Sequence, residues 1–298
     1  MMRIRAFAKI NLTLRVLGVR GDGYHELRTT FQSLALHDTL TFSRSNEFSV
    51  DCDDPACPTD RANLIWRAAE ETWRAAGKRG HVRGVRVALS KRIPMQAGLG
   101  GGSSDAAAAL RACAALWKVK EPAIEEIARG LGADVPFFLH GGTALGVERG
   151  DLLFPLADWP VSWVVLVVPD FGVSTKDAYA WWDAGKKPPD PFLNGPKRRA
   201  NGQKTSRPFF PELWNDLEGA VAERHPEIGR LAGALRRRGA SYAAMSGSGS
   251  AVFGLFDRRN TAEKCAIAVS GPRRRVVVTR TLARLAFLMR SKPQGLPL

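Results

Sequence analysis

The feature that most constrains the fold is a run of glycines that leads directly into an alanine-rich stretch, at residues 94–110 (PMQAGLGGGSSDAAAAL). Glycine tolerates left-handed backbone conformations and lets the main chain approach a ligand closely. We expect Ser103, Ser104 and Asp105 to supply the N-cap of the helix that follows. The unpaired N–H groups and the positive dipole end of its first turn favour an anion. The segment therefore predicts a loop that holds a nucleotide triphosphate.

The common phosphate-loop patterns do not match this segment. The Walker pattern requires Lys and then Ser or Thr after its last glycine, but Gly102 is followed by Ser103 and Ser104. A dinucleotide-binding pattern that began at Gly98 would have Gly or Ala at position 103. Protein kinase signatures are absent from the sequence. A glycine-rich turn that only caps a helix is the alternative, although capping normally takes one glycine and one hydroxyl, and this segment has four and two.

The net charge of +15 points toward nucleic-acid binding, but its distribution argues against that class. The basic residues are spread along the chain, without a repeated module of basic and aromatic residues. A positive field also suits an enzyme whose substrates carry several phosphates. We therefore expect a small-molecule substrate and no nucleic-acid partner. An RNA-binding protein on the same scaffold is the alternative from a different class.

The composition predicts a cytoplasmic protein without a membrane partner. No stretch approaches the ~18 consecutive apolar residues that a membrane span needs. The opening segment, MMRIRAFAKINLTL, alternates like a strand and lacks the apolar core of a signal peptide. The four cysteines, at positions 52, 57, 113 and 265, do not resemble a disulfide framework. We also expect a monomer or a weak homodimer.

Periodicity of apolar residues predicts a mixture of strands and helices. Strands are predicted at 3–17, 39–51, 85–89, 163–168 and 276–282, with two more around a glycine turn within 241–256. Helices are predicted at 63–76, 103–117 and 122–131, and helical spacing returns within 212–237. Gly21, Asp22 and Gly23 predict a turn after the first strand.

A boundary is predicted near residues 150–162, before the apolar run that starts the second half. We therefore expect two domains, at 1–158 and 159–298. Residues 186–207 hold four prolines and seven Lys or Arg against one Asp, without apolar periodicity. This composition predicts a mobile basic loop, for which a tolerated insertion is the simplest explanation.

Three further segments form a pattern with the glycine loop, namely residues 8–14 (AKINLTL), 131–139 (LGADVPFFL) and 246–253 (SGSGSAVF). Their order resembles the superfamily of galactokinase, homoserine kinase, mevalonate kinase and phosphomevalonate kinase, the GHMP kinases. The resemblance implies an α+β, two-domain fold, with an N-terminal half like domain 2 of ribosomal protein S5 and a ferredoxin-like C-terminal half. It also implies ATP and Mg²⁺ as cofactors. The implied ATP-binding residues are Pro94, Met95, Gln96, Ala97, Gly98, Leu99, Gly100, Gly101, Gly102, Ser103 and Ser104.

Within the superfamily, residues 8–27 and 94–110 are most similar to the kinases that phosphorylate the 2-hydroxyl of a cytidine diphosphate-linked methylerythritol, in the non-mevalonate isoprenoid pathway. The resemblance implies that Asp134 is the catalytic base and that Lys9 orients the hydroxyl. From position alone, Lys9 could instead guard a strand edge. Asp134 could instead cap a short helix at 137–140. The rival within the superfamily is a kinase of homoserine or of a mevalonate derivative.

The remaining implied residues bind the acceptor substrate. Asn11 lies two residues after Lys9, so on a strand it would project from the same face, toward the methylerythritol hydroxyls. Tyr24 would stack on the cytosine and His25 would hydrogen-bond to it, which only a base-bearing acceptor requires. A second aromatic wall is implied at Tyr179, with Trp181 or Trp182 as replacements. Gly247, Ser248 and Gly249 are implied to lie against the substrate. No metal ligands are assigned, although Ser104 is a candidate for Mg²⁺.

Overall fold

The computed structural model describes residues 1–185 and 213–295. Its strands are, in chain order, β1 (Met2–Val19), β2 (His25–Arg44), β3 (Ser49–Cys52), β4 (Val85–Ser90), β5 (Thr143–Glu148), β6 (Leu152–Pro155), β7 (Trp163–Pro169), β8 (Trp214–Asn215), β9 (Tyr242–Met245), β10 (Val252–Phe256), β11 (Arg274–Arg280) and β12 (Gln294–Gly295). Its helices are α1 (Leu64–Ala75), α2 (Gly101–Trp117), α3 (Glu121–Leu131), α4 (Phe137–His140), α5 (Thr175–Ala184), α6 (Asp216–Arg224), α7 (Glu227–Arg237), α8 (Arg259–Val269) and α9 (Arg284–Arg290).

The larger sheet is built around a long antiparallel hairpin of β1 and β2. Its strand order is β12-β1-β2-β4-β3, and β5 adds to β2 while β8 pairs in parallel with β1. Apolar side chains of this sheet pack against α1, α2 and α3 in one buried cluster. Because β8 and β12 come from the second half of the chain, both halves contribute strands to this sheet. The domain division at residue 158 therefore stays a prediction.

The smaller sheet has the order β11-β7-β10-β9, and all its pairings are antiparallel. In chain order these strands occupy the positions fourth, first, third and second. Helices α5 to α7 lie between the first two strands of this sheet in the chain, and α8 lies between the last two. This βαββαβ arrangement is the ferredoxin-like pattern. The predicted α+β fold with a ferredoxin-like second half is confirmed.

Helix α2 begins earlier than the sequence indicates. Its N-cap is Gly100, in the left-handed conformation (φ 71°), and no side chain caps it. The predicted N-cap of Ser103, Ser104 and Asp105 is therefore wrong, because these are the third to fifth residues of the helix. Alanine has the highest helix propensity, and its small side chain lets residues 106–109 be buried closely against neighbouring elements.

The structure contains a helix or strand at each place where one was predicted, and the bounds of one predicted strand are wrong. The strand predicted at 39–51 is wrong in its bounds, since β2 ends at Arg44 and β3 starts at Ser49. Residues 25–38 escaped prediction because β2 is paired on both sides at 27–32 and residues 29–34 are all buried, which removes the alternation. Helices α5, α8 and α9 and strands β5 and β6 were also missed. The helical region predicted at 212–237 is two helices, which separate at Pro226.

Three further expectations concern the basic loop, membrane spans and the cysteines. The basic loop predicted at 186–207 lies outside the described residues. Across the described ranges, the helices are all too short or too polar to cross a lipid bilayer. All four cysteines are free thiols.

Candidate active site

The glycine loop, the middle of β1 and the β9–β10 connection meet at a cavity of about 1060 Å³. The Lys9 amide donates a hydrogen bond to the Leu99 carbonyl (3.0 Å), and the Ala251 amide donates one to Ala97 (3.1 Å). The Ser246 hydroxyl donates to the Gly98 carbonyl at 2.9 Å. Backbone hydrogen bonds thus fix the three segments to one another.

Two glycines of the loop permit this close approach. Gly98 has φ +73°, and a Cβ there would lie 2.0 Å from the Ser246 carbonyl oxygen. Gly100 has φ +71°, and a Cβ there would lie 2.6 Å from the Phe138 ring. Any other residue would be strained at either position, and its side chain would overlap fixed atoms. All residues from 94 to 103 line the cavity.

Lys9 and Asp134 form an ion pair inside the cavity. The Lys9 Nζ lies 3.2 Å from Asp134 Oδ2 and donates a hydrogen bond to Asn11 Oδ1 at 2.7 Å. Asn11 Nδ2 donates to the Thr29 hydroxyl at 2.7 Å, which fixes the orientation of the amide. The ammonium group also lies 5.4 Å from the centroid of the Phe31 ring. Lys9 and Asn11 share one face of β1, as their spacing predicts.

The two alternatives for this pair are wrong. Lys9 does not guard an open edge, because it is 3% exposed and β1 has partners on both sides. Asp134 does not cap the short helix α4, whose N-cap is Pro136 without a side-chain hydrogen bond. The lysine is thus a buried cation whose carboxylate partner reaches the cavity.

A second cluster of buried charges lies under the loop. Lys91 Nζ is 2.6 Å from Asp38 and 2.8 Å from Asp105, and all three side chains are buried. Burial alone would lower the pKa of Lys91, but the two carboxylates outweigh it and raise that pKa. Burial raises the pKa of Asp105 to about 8; Lys91 opposes the shift and Asp38 adds to it. Within the described part of the chain, Asp105 Oδ1 has no hydrogen-bond partner.

One end of the cavity is aromatic. Tyr24 and His25 follow the predicted turn, in which the Arg20 amide donates to the Tyr24 carbonyl at 2.7 Å. The His25 ring stacks on Tyr179, with centroids 4.5 Å apart and an interplanar angle of 25°. Burial, followed by the charge of Asp134, raises the pKa of Tyr179, so its hydroxyl stays neutral. The structure therefore brings Tyr24, His25 and Tyr179 to the same cavity as Lys9 and Asp134.

The two replacement tryptophans occupy different places. Trp182 is buried and makes an edge contact with His25, at 6.0 Å between centroids. Trp181 lies beside His225, at 5.7 Å, and does not appear among the described cavity-lining residues. Gly247, Ser248 and Gly249 line the cavity, and the Ser248 hydroxyl is 3.2 Å from that of Thr175, at the start of α5.

Sequence reasoning missed several residues of the cavity. The segment before α1 forms a separate part of the wall, made of Cys57, Pro58, Ala62, Asn63 and Leu64. Asn63 was recognised only as part of a helix, and its side chain indeed caps α1 by accepting from Ile65 N. Arg149, Lys176 and Asp183 were missed because the elements that carry them were not predicted. The only available signal for Lys91 was its position just before the glycine loop.

The metal-ligand candidate Ser104 lies behind the loop. Its hydroxyl donates to the Phe7 carbonyl at 2.7 Å, and the residue is almost fully buried. Its neighbour Ser103 lines the cavity. Among the described residues, no cluster of three or more His, Cys, Asp or Glu side chains is arranged to hold a metal. The role of Ser104 stays a prediction.

Comparison with known proteins places these motifs in a family. Residues 63–142 match the family model described as GHMP kinases N terminal domain, and residues 207–271 match that of the GHMP kinases C terminal. The chain is similar to the 4-diphosphocytidyl-2-C-methyl-D-erythritol kinase of Moorella thermoacetica, with 41% identity over 94% of this chain and 99% of the relative. It is 43% identical to the kinase of the same name from Solibacter usitatus, over 86% of this chain and 82% of that one.

Solved structures agree at the level of the fold. A crystal structure of 4-(cytidine 5'-diphospho)-2C-methyl-D-erythritol kinase matches with a TM-score of 0.76 and 38% identity, over 94% of this chain and 98% of the other. A mevalonate kinase matches with a TM-score of 0.67 over 94% of this chain and 99% of the other. At 13% identity, that second likeness concerns the fold alone.

Proposed function

The chain belongs to the GHMP kinases and, within them, to the family of 4-diphosphocytidyl-2-C-methyl-D-erythritol kinases. On that basis we propose that it transfers the γ-phosphate of ATP to the 2-hydroxyl of 4-diphosphocytidyl-2-C-methyl-D-erythritol. The observation that carries the proposal is the Lys9–Asp134 pair, 3.2 Å apart in a cavity that also contains the glycine loop and the aromatic end. The products are the 2-phosphate of the acceptor and ADP.

Asp134 is the proton acceptor of the proposed reaction. Phosphoryl transfer needs an alcohol in line with the bond that breaks and a residue that accepts or orients the hydroxyl proton. Asp134 is one-third exposed, so its carboxylate can reach a bound hydroxyl, whereas Lys9 is buried behind it. Lys9 supplies the positive charge that stabilises the developing alkoxide. Asn11 holds the ammonium group in place through its side-chain oxygen.

The glycine loop holds the phosphates of ATP. The first turn of α2 presents its unpaired N–H groups at the cavity, and the positive end of the helix dipole adds to the attraction for an anion. The wall formed by residues 57–64 packs with the core of the larger sheet, whereas Tyr179 packs with the core of the smaller sheet. We assign the nucleoside of ATP to the first wall and the cytidine to the aromatic end.

The residues present fit a Mg²⁺ that binds together with the nucleotide. Mg²⁺ commonly keeps several waters and binds substrate phosphates. Ser103 would supply a hydroxyl beside the loop, and waters and the phosphates of ATP would supply the other oxygens, so Asp134 remains the proton acceptor. When bound there, the ion neutralises charge on the transferred phosphoryl group.

The aromatic end of the cavity, to which we assign the cytidine, makes the site selective for this substrate over other alcohols. Tyr24 is largely exposed and offers a ring face for stacking, while His25 offers a ring nitrogen for a base edge. Homoserine and mevalonate have no base and would leave these groups unused. We further propose that the two domains divide at residue 158, that the protein is cytoplasmic, and that it is a monomer or a weak homodimer.

The test is ADP release by the purified protein with Mg-ATP and one of four acceptors. These are 4-diphosphocytidyl-2-C-methyl-D-erythritol, homoserine, mevalonate and phosphomevalonate. We expect turnover with the cytidine-bearing acceptor alone. Turnover only with one of the other alcohols would overturn the assignment of the cytidine end, and absence of turnover with all four would overturn the proposed function.

A further inference from the structure

The imidazole of His25 is held on three sides by helix α5. Its Nε2 lies 3.1 and 3.2 Å from the two carboxylate oxygens of Asp183. One face of the ring stacks on Tyr179, and the Trp182 indole makes an edge contact. The His25 side chain is 14% exposed and that of Asp183 is 44% exposed. The orientation of the ring is therefore set by protein contacts, with Asp183 at one nitrogen.

The contact with Asp183 favours one of the two tautomers of a neutral His25 ring. A neutral imidazole has one donor and one acceptor nitrogen, whereas an ionised carboxylate only accepts. The Nε2 atom therefore donates to Asp183, and Nδ1 becomes an acceptor. The described residues provide Nδ1 with no hydrogen-bond partner. Since His25 lines the cavity, this acceptor is available to a bound base.

An acceptor nitrogen distinguishes the two common pyrimidines at one position. Cytosine carries an amino group at position 4, which donates hydrogen bonds. Uracil carries a carbonyl oxygen there, as thymine does, and that oxygen only accepts. An imidazole whose acceptor nitrogen points toward this position can form a hydrogen bond with the amino group of cytosine. With uracil, the lone pair of the nitrogen would face a lone pair of the carbonyl oxygen, and no hydrogen bond could form. If Nδ1 carried the proton, this preference would be reversed.

We propose that Asp183 is a positioning residue, which fixes the Nε2–H tautomer of His25 and thereby makes the site select a cytidine diphosphate over a uridine diphosphate. The inference rests on the proposed function, because it assigns the base of the acceptor to the end of the cavity that contains His25. Asp183 itself acts through His25 and need not touch the substrate.

The first readout is the tautomer itself. Nitrogen-15 NMR of the imidazole groups distinguishes the two neutral tautomers from imidazolium, and His25→Gln identifies the signals of His25 among the five histidines. We expect the Nε2–H form in the wild-type protein at neutral pH and a mixture of tautomers in Asp183→Ala. An imidazolium or an Nδ1–H form in the wild-type protein would overturn the proposal.

The second readout is base selectivity, measured with CDP and UDP as competitors of the cytidine-bearing acceptor. A hydrogen bond lost at a desolvated site corresponds to about a tenfold to hundredfold change in affinity. We expect Asp183→Ala to lower the ratio of CDP to UDP affinity by about this factor while leaving the KM for ATP unchanged. Asp183→Asn keeps an oxygen that accepts from Nε2, so it should retain the tautomer and much of the selectivity.

The matched control is Asp177→Ala, which removes an exposed carboxylate from the same helix. It should keep the wild-type selectivity. Equal selectivity in Asp183→Ala and the wild type would overturn the inference, and so would an equal loss in the Asp177 control, because that loss would be a general effect of charge. Failure of the proposed function is distinguishable, since a wild-type protein that prefers CDP but transfers no phosphate would refute only the reaction.

Discussion

Lys9 and Tyr24 line the same cavity, but Lys9 is 3% exposed and Tyr24 is 57% exposed. Lys9 lies within a paired strand, and its backbone, its side chain and its carboxylate partner are all fixed by hydrogen bonds or charge. Tyr24 lies at the end of a hairpin turn, where Asp22 accepts a hydrogen bond from its backbone amide. The catalytic centre around Lys9 is thus part of the buried core. The base-binding end around Tyr24 lies at the exposed edge of the cavity.

This difference in burial predicts which properties of the protein a substitution at each place will change. At the centre, the groups that perform the chemistry also join β1, the glycine loop and the β9–β10 connection, so changes there affect turnover and folding. At the base-binding end, the contacts are between side chains that are partly in water. Changes there should affect the affinity for the acceptor and leave both the fold and the ATP site intact.

The largest effect is expected for Asp134→Ala. Loss of a general base typically lowers the rate by a factor of about 10²–10⁴, and we expect kcat to fall within that range. The glycine loop is untouched, so the Kd for ATP should stay at its wild-type value. Single-turnover kinetics and nucleotide titration measure the two quantities. Asp177→Ala serves as the control and should retain wild-type kcat; a similar kcat in Asp134→Ala would exclude this residue as the base.

The next largest effect concerns stability of the centre. Lys91→Met leaves the Asp38 carboxylate buried without its cation and Asp105 without its hydrogen-bond donor, and removal of one partner of a buried ion pair costs about 3–5 kcal/mol. We expect the free energy of unfolding to fall by about that amount in urea denaturation. The comparison on the exposed surface of α1 is Arg74→Met, which removes an exposed pair with Glu71 and should cost at most ~0.5 kcal/mol. Equal losses of unfolding free energy in the two variants would contradict the greater importance of the buried ion pair.

Asp105→Asn is the complementary change in this cluster. The pKa of Asp105 is about 8 in the folded protein against an ordinary value of 3.8, so the unfolded chain releases this proton first. Asp105 therefore makes the folded state less stable as the pH rises from about 4 to about 8, and its contribution is constant above that. Asp105→Asn should remove this part of the pH dependence and should not destabilise the protein at neutral pH.

Sequence information captured the centre better than the edge. The glycine loop, the buried face of β1 and the position of Asp134 are carried by local patterns, and Lys9 and Asn11 share a face because strands alternate. The distance between Lys9 and Asp134 could not be inferred from residues alone, since it depends on where the fold places the connection between α3 and α4 relative to β1. The GHMP kinase resemblance supplied that pairing.

The edge was less predictable because its residues follow no strong period. Helix α5 buries only Ala178 and Trp182 completely, so the pattern around Asp183 does not indicate a helix. Arg149 lies in the short connection between β5 and β6, which were both missed. The N-cap error at α2 has a different cause, since the conformation of Gly100 starts the helix before the first hydroxyl.

A smaller effect is expected where the glycine loop meets the third motif. Gly98→Ala would bring a Cβ to within 2.0 Å of the Ser246 carbonyl at positive φ, so backbone must move. Overpacking of this kind costs about 1–3 kcal/mol, which we expect in the free energy of unfolding. Gly102→Ala is the matched control, because a Cβ there would meet no atom within 4 Å and alanine favours the helix. Equal destabilisation by the two variants would show that the fit against Ser246 is unimportant.

The smallest effects should appear at Tyr24 and its neighbour Arg149, whose guanidinium carbon lies 5.2 Å from the Tyr24 ring centroid. Stacking of a base on an aromatic side chain contributes about 1–3 kcal/mol, so Tyr24→Ala should weaken binding of the acceptor by about tenfold and leave kcat and stability unchanged.

A cation–π contact at an exposed site is worth about 0.5–1 kcal/mol, so Arg149→Gln should raise the KM for the acceptor by only about two- to fivefold. In the Tyr24→Ala background, Arg149→Gln should have no further effect, because the ring on which it acts is gone. If the two changes add fully in this double-mutant cycle, Arg149 contacts the substrate directly, and the base-binding end has a second charged contact independent of Tyr24.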